Sequence, residues 1–176
     1  MRRPLILTLA IAALLISTTT SASSNRETLQ KKFEGTWELA DDSAAKKEVE
    51  RIVESTVAKL SFYKRPFARG RLEEVCSPCD KIRIAFPEDE IAITCDDKKT
   101  YESPADGSAV EHEPKEGDAF QLTHSWDDGA IKQVHDAPGG KRTTYFRVED
   151  GELEWDTELT SPKLPAPMDY AFTYEQ

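Results

Sequence analysis

The sequence predicts a small, mainly β protein, an up-and-down antiparallel β-barrel with one helix after its first strand. Three observations carry that expectation. Asp128-Gly129, Gly139-Gly140 and Asp150-Gly151 each separate short segments of alternating apolar and polar residues. Two-residue loops of this kind need positive φ, which Gly and Asp tolerate, so they mark β-hairpins. Paired about these turns, one face stays consistent across the flanking strands: Trp126 falls opposite Ile131, Val148 opposite Leu153, and Phe146 opposite both Trp155 and, through the middle hairpin, Gln133. Most of the charge occupies the other face, including Arg147 opposite Glu154. A meander with one buried face closes most economically into a barrel, which removes its exposed edges.

Taken in order, residues 1–22 read as a secretory signal: Met1-Arg2-Arg3 is a basic start, Leu5 to Ile16 an apolar run, and Thr20-Ser21-Ala22 a small-residue cleavage site. The apolar run is too short to span a membrane as a folded helix. No Cys follows it to accept a lipid, so no membrane anchor is expected. Residues 23–32 are expected as a flexible leader and 33–176 as one barrel domain, exported to the periplasm or secreted. Phe33 to Leu39 gives a first strand with Trp37 and Leu39 on one face. Asp41-Asp42-Ser43 offers N-cap candidates, after which Val49, Ile52, Val53, Thr56 and Leu60 recur at helical spacing. Pro66 stops this helix at or before Arg65, beside Phe62, Tyr63 and Phe67. Strands are expected near 71–76, 81–86, 90–95, 98–102, 109–113, 118–126, 130–136, 141–149, 152–160 and 168–175. Pro162, Pro165 and Pro167 keep the last connection out of any central strand.

The formal charge of −10 becomes more negative once Arg2 and Arg3 leave with the signal. Such a surface repels phosphate backbones, which argues against nucleic acid as a partner, and repels anionic lipid heads. Three cysteines in an exported chain leave one unpaired. If residues 81–86 and 91–95 pair around Pro87 to Glu90, Cys95 shares a face with Ile82 and Ile84 while Cys79 points to the other side. Strand parity therefore favours a local Cys76–Cys79 disulfide with Cys95 as a buried thiol, whereas a bulge near Asp80 would let Cys79 reach Cys95 instead.

Gly35-Thr36-Trp37 on the first strand, a helix directly after it and a run of meander strands resemble the calycin group, which holds lipocalins and fatty-acid-binding proteins. The ending from Gly151 to Tyr174, with Thr160-Ser161-Pro162-Lys163-Leu164-Pro165 and then Tyr170 and Tyr174, is similar to lipocalin-like exported bacterial proteins. The resemblance implies a lipocalin-like or fatty-acid-binding-protein-like barrel.

The inner face, followed through the hairpins, is mostly apolar, with His124, Gln133, His135, Thr144 and Thr157 as its polar minority. A polar group inside a barrel must be hydrogen-bonded to a neighbour, to water or to a ligand. The expected function is therefore binding of a small, mostly apolar ligand by His124, Gln133, His135, Thr144, Trp126, Phe146 and Trp155. Few inward cations favour a neutral ligand, with Arg142 near the rim as the exception. The alternative is a barrel filled by Trp126, Phe146 and Trp155 that serves as an envelope interaction or structural module. Three imidazoles, His112, His124 and His135, make only a non-local metal pattern. Glu149, Glu152, Glu154, Asp156 and Glu158 form a solvated stripe rather than a calcium site. Leu72 to Val75 precedes Cys76 as a strand-like segment bearing two acids, which favours a structural over a redox CxxC. Phosphate-loop, nucleophile-elbow and metalloprotease motifs are absent, so no cofactor or catalytic residue is assigned.

Overall fold

The computed structural model describes residues 19–114 and 118–176. Helix α1 (Thr19–Phe33) leads into strand β1 (Gly35–Leu39), followed by helices α2 (Asp42–Val57) and α3 (Arg65–Cys76). Nine further strands follow: β2 (Lys81–Ala85), β3 (Glu90–Cys95), β4 (Lys99–Pro104), β5 (Val110–His112), β6 (Phe120–Asp127), β7 (Ala130–Ala137), β8 (Gly140–Glu149), β9 (Glu152–Thr160) and β10 (Met168–Glu175). They form one ten-stranded antiparallel sheet in the order β4-β3-β2-β1-β10-β9-β8-β7-β6-β5. Pairing of the first strand with the last curls the meander into a nearly closed barrel. Its seam lies between β4 and β6, where backbone contact shrinks to the Asp106–Ser125 bridge and a bond from the Gly107 amide to the His124 carbonyl at 2.9 Å.

Two of the three turns fold as the sequence expects. Asp128-Gly129 and Asp150-Gly151 have positive φ at both central positions, the type I′ signature, and the flanking strands keep the expected register. The middle hairpin differs. Ala137 pairs with Gly140, so Pro138 and Gly139 make the turn and Phe146 lies opposite Ile131, not Gln133. Proline presets φ for the first turn position and has no N–H for the ladder, which moves the turn one residue upstream. The shift is two residues in register, so the faces survive it.

Three other expectations fail on the N-terminal side. Residues 23–32 belong to α1, whose last residue, Phe33, is fully buried against the edge of the Trp126 ring, and Lys32 donates to the Val148 carbonyl at 2.7 Å. The expected strand at 71–76 is the second half of α3, so two helices, not one, connect β1 to β2. Pro66 sits in the first turn of α3, where its missing N–H costs nothing, so it starts a helix; α2 has already ended at Val57. Asp41 caps α2 by accepting from the Ala44 amide at 2.9 Å, as expected.

The disulfide joins Cys79 to Cys95, and Cys76 is the buried free thiol. The alternation rule fails for Cys79 because the β2 ladder starts only at Lys81. Residues 77–80 are irregular backbone with a bend at Asp80, held by Tyr174 Oη donating to the Cys79 carbonyl and the Leu39 amide donating to the Asp80 carbonyl. Strand parity does not extend across such a bend.

Candidate functional site

The registers of β6 to β10 stack the inner face in transverse layers roughly 7 Å apart, two residues along each strand. Near α1 one layer runs Trp126, Ile131, Phe146, Trp155, Phe172. The next runs His124, Gln133, Thr144, Thr157, Tyr170, and all five are polar or hydroxyl-bearing. Beyond it come Leu122, His135, Arg142, Leu159 and Met168.

The polar layer is satisfied along most of its length. The Gln133 amide nitrogen lies 2.8 Å from His124 Nε2, and Ser103 Oγ on β4 lies 2.8 Å from His124 Nδ1. The amide donates to Nε2, so the ring proton sits on Nδ1 and is given to the serine, a bond that spans the seam of the barrel. His124 is fully buried, and loss of solvation lowers its pKa to about 4, which keeps the ring neutral. Thr144 and Thr157 bond each other at 2.9 Å, and Trp155 Nε1 donates to Thr157 Oγ1 at 2.5 Å.

Satisfaction ends at Tyr170 and His135. Arg142 Nη2 donates to His135 Nδ1 at 2.9 Å. A guanidinium can only donate, so Nδ1 accepts and the ring N–H is on Nε2. That Nε2 is buried with no partner, and the Tyr170 hydroxyl, beside the Thr157 hydroxyl and the Cys76 thiol, makes no well-formed hydrogen bond to either. Burial, then the Arg142 charge, hold the His135 pKa down near 2, and burial raises that of Tyr170 well above the ordinary phenol range. Both groups therefore stay neutral donors. Arg142 has no carboxylate partner among the described residues. Around His135 the rings of Tyr101, His112 and Phe120 form an aromatic wall, with Phe120 stacked on the imidazole at 4.7 Å and Tyr101 at the same distance. The end of α3 closes this region: the Cys76 thiol lies near Tyr170 and Arg142, and burial raises its pKa to about 11. Such a thiol is a packing group, not a nucleophile.

Among the sequence-predicted residues, the structure brings His124, Gln133 and Thr144 into one layer, His124 bonded to Gln133 and Thr144 bonded to Thr157, and sets His135 and Arg142 together one layer beyond. It does not bring Trp126, Phe146 and Trp155 to that end. Phe146 and Trp155 lie within the buried aromatic cluster with Phe172 and Tyr174, while Trp126 is half-buried against Phe33 and Phe86 under α1, its Nε1 buried and unpartnered. His112 faces Tyr101 and Phe120, and among the described residues no cluster of His, Cys, Asp or Glu is arranged to hold a metal. Sequence reasoning missed Ser103, Tyr101 and Tyr170. The alternation of Met168 to Glu175 contains Tyr170 plainly; Ser103 lies past the expected end of its strand.

No family model and no curated protein matches the chain by sequence. Solved structures do match. A secretary abundant heat soluble (SAHS) protein from Ramazzottius varieornatus superposes with a TM-score of 0.53 at 14% identity, over 82% of this chain and 95% of that one. The Echinococcus granulosus fatty-acid-binding protein 1 gives 0.51 at 13%, over 83% and 98%. The fluorescent protein UnaG gives 0.51 at 14%, over 83% and 98%. The fold is a fatty-acid-binding-protein-like barrel. At these identities the likeness concerns architecture alone, and it includes nearly the whole of each neighbour.

Proposed function

We propose that this protein is an exported barrel that holds a small, largely apolar molecule by a hydrogen-bond-accepting end. The observation that carries this is the donor set at one end of the interior: Arg142 without a carboxylate, His135 Nε2–H without an acceptor and the Tyr170 hydroxyl without a partner. Buried donors are costly when unpaired, and a carbonyl or carboxylate oxygen supplies what all three lack. Tyr101, Phe120, Leu122, Leu159 and Met168 give the apolar surroundings that the rest of such a molecule needs. This favours the exception over the expected neutral ligand, because the partly buried Arg142 reaches inward to His135. The name of the Echinococcus neighbour, a fatty-acid-binding protein, supports the same ligand class. Export rests on the basic start and apolar run of residues 1–22, which lie mostly outside the described residues.

Native mass spectrometry of protein purified from its own host, followed by titration with a matched long-chain acid and alcohol, tests the reading. Arg142→Gln should erase the preference for the acid. Absence of retained molecules together with no binding of either probe would favour the second reading, a packed structural module. That reading draws support from the ring contacts that fill the neighbouring layer, Phe146 to Trp155 at 5.7 Å and Trp155 to Tyr174 at 5.9 Å.

A further inference from the structure

The connection between α2 and α3 does not resemble the rest of the surface. A short 3₁₀ turn, Phe62–Lys64, runs straight into α3, and three aromatic side chains on the turn and the first turn of α3 stand in water: Phe62 at 85%, Tyr63 at 69% and Phe67 at 85% exposure. Single exposed apolar residues are ordinary, but three large rings within six residues form a patch. A ring 85% exposed projects from the surface instead of lying on it. Between Lys59 and Arg71 the chain carries Lys59, Lys64, Arg65, Arg69 and Arg71 and not one Asp or Glu, in a protein whose formal charge is −10.

Two of those cations hold the tip together. Arg65 donates to the Ala58 and Leu60 carbonyls at 3.0 and 3.1 Å, capping the end of α2, and Arg69 pairs with Glu54. Lys59, Lys64 and Arg71 have no carboxylate partner among the described residues; Lys64 lies 6.0 Å from the Tyr63 ring. The tip is therefore ordered while its rings and free cations remain available.

We propose that this tip docks the protein on an anionic lipid bilayer, with Phe62 and Phe67 entering the headgroup layer and Tyr63, Lys59, Lys64 and Arg71 at the phosphates. Aromatic rings interleaved with cations suit that boundary, where one part is apolar and the next is negatively charged. The acidity of the whole chain does not oppose this at working ionic strength, because screening over about 8 Å leaves mainly the charges nearest the bilayer to act. Net charge argues against anionic lipid as an average over the surface, and the segregation of cations to one connection removes that argument locally. The assignment stands apart from the ligand reading: it concerns an outer surface, and it holds whether or not the interior binds anything.

Co-sedimentation of the purified full chain with vesicles of phosphatidylcholine alone, or with one-third phosphatidylglycerol, tests it. Binding is expected to the anionic vesicles only and to weaken as salt rises. Phe62→Ser with Phe67→Ser, and separately Lys59→Glu with Lys64→Glu, should each reduce it by about tenfold or more without lowering the melting temperature. Equal binding to both vesicle types, no binding to the anionic ones, or wild-type binding by either folded double variant overturns the proposal. So does a sedimentation-velocity result in which the chain self-associates and the aromatic variant alone abolishes it, which would assign the tip to a second copy.

Discussion

The layer through Ile131, Phe146, Trp155 and Phe172 and the layer one step along the same strands, through Gln133, Thr144, Thr157 and Tyr170, share one register and face one interior, yet they are stabilised in different ways. The first is filled by rings in contact, so its stability is set by apolar area and shape. The second is joined by hydrogen bonds from Gln133 through His124 to Ser103 and from Trp155 to Thr157, so it depends on every member finding a partner. The bonded chain ends at Tyr170, and beyond it Arg142 donates to His135 Nδ1, while the His135 Nε2–H finds no acceptor among the described residues. Along the barrel axis the layers pass from ring packing under α1, where one indole N–H, that of Trp126, is left unpaired, through a bonded network, to the converging donors of His135 and Tyr170 under α3. Polarity inside a barrel points to a binding end where several unpaired donors converge, as His135 and Tyr170 do, and not where a single one is left over, as at Trp126.

The largest effect should come from breaking the ring layer. Phe146→Ala is expected to cost roughly 3–5 kcal/mol by removing a buried aromatic from a well-packed site. Urea unfolding measures it, and a loss below about 1 kcal/mol would mean that the layer is loosely packed and the contrast with its neighbour is false.

Acid should act next, through the polar layer. The folded pKa of His124 lies below that of the unfolded chain, so the unfolded state takes up the proton first as pH falls. Its contribution is fully present above about pH 6.5 and is lost as pH falls from there to about 4, the loss reaching roughly 3 kcal/mol at the lower limit. His135 adds a loss in the same direction that continues toward pH 2. His124→Gln should flatten the dependence of the urea midpoint on pH in the upper part of that range, above about pH 5, where most carboxylates have yet to titrate. An unchanged slope in that variant would remove the buried imidazole as the cause.

The smallest effects sharpen the comparison most. Gln133→Leu leaves His124 Nε2 without its donor and should cost roughly 1–3 kcal/mol, whereas Tyr170→Phe removes a hydroxyl that has no partner and should be neutral to within about 0.5 kcal/mol. The same Tyr170→Phe change should weaken retention of an acid ligand. Two thermal melts and one binding titration decide it: equal destabilisation by both changes would show Tyr170 to be part of the structural network and withdraw it from the site.

The barrel and its inward face were legible in the sequence because alternation with a period of two survives a two-residue slip of register, as the hairpin at Pro138 and Gly139 shows. Turn chemistry fixed the outer two hairpins, and Asp41 fixed the start of α2, since each depends on φ preferences and bonds within a few residues. What lay beyond local pattern was decided by tertiary contact. Arg65 to Cys76 is helical although its Leu-Glu-Glu-Val stretch reads equally well as strand, because Leu72 and Cys76 bury against the barrel end. Cys79 meets Cys95 because a bend at Asp80 takes it out of the ladder, a geometry set by Tyr174 from the far end of the chain. Of the site, the sequence determined which residues face inward, as for His124, Gln133, His135 and Thr144. Only the closed barrel decided which of them bond one another and which are left over, because Ser103 reaches His124 across a seam that no hairpin connects. Sequence period determines which side of a strand a group occupies; the partner it finds there depends on strands distant in the chain.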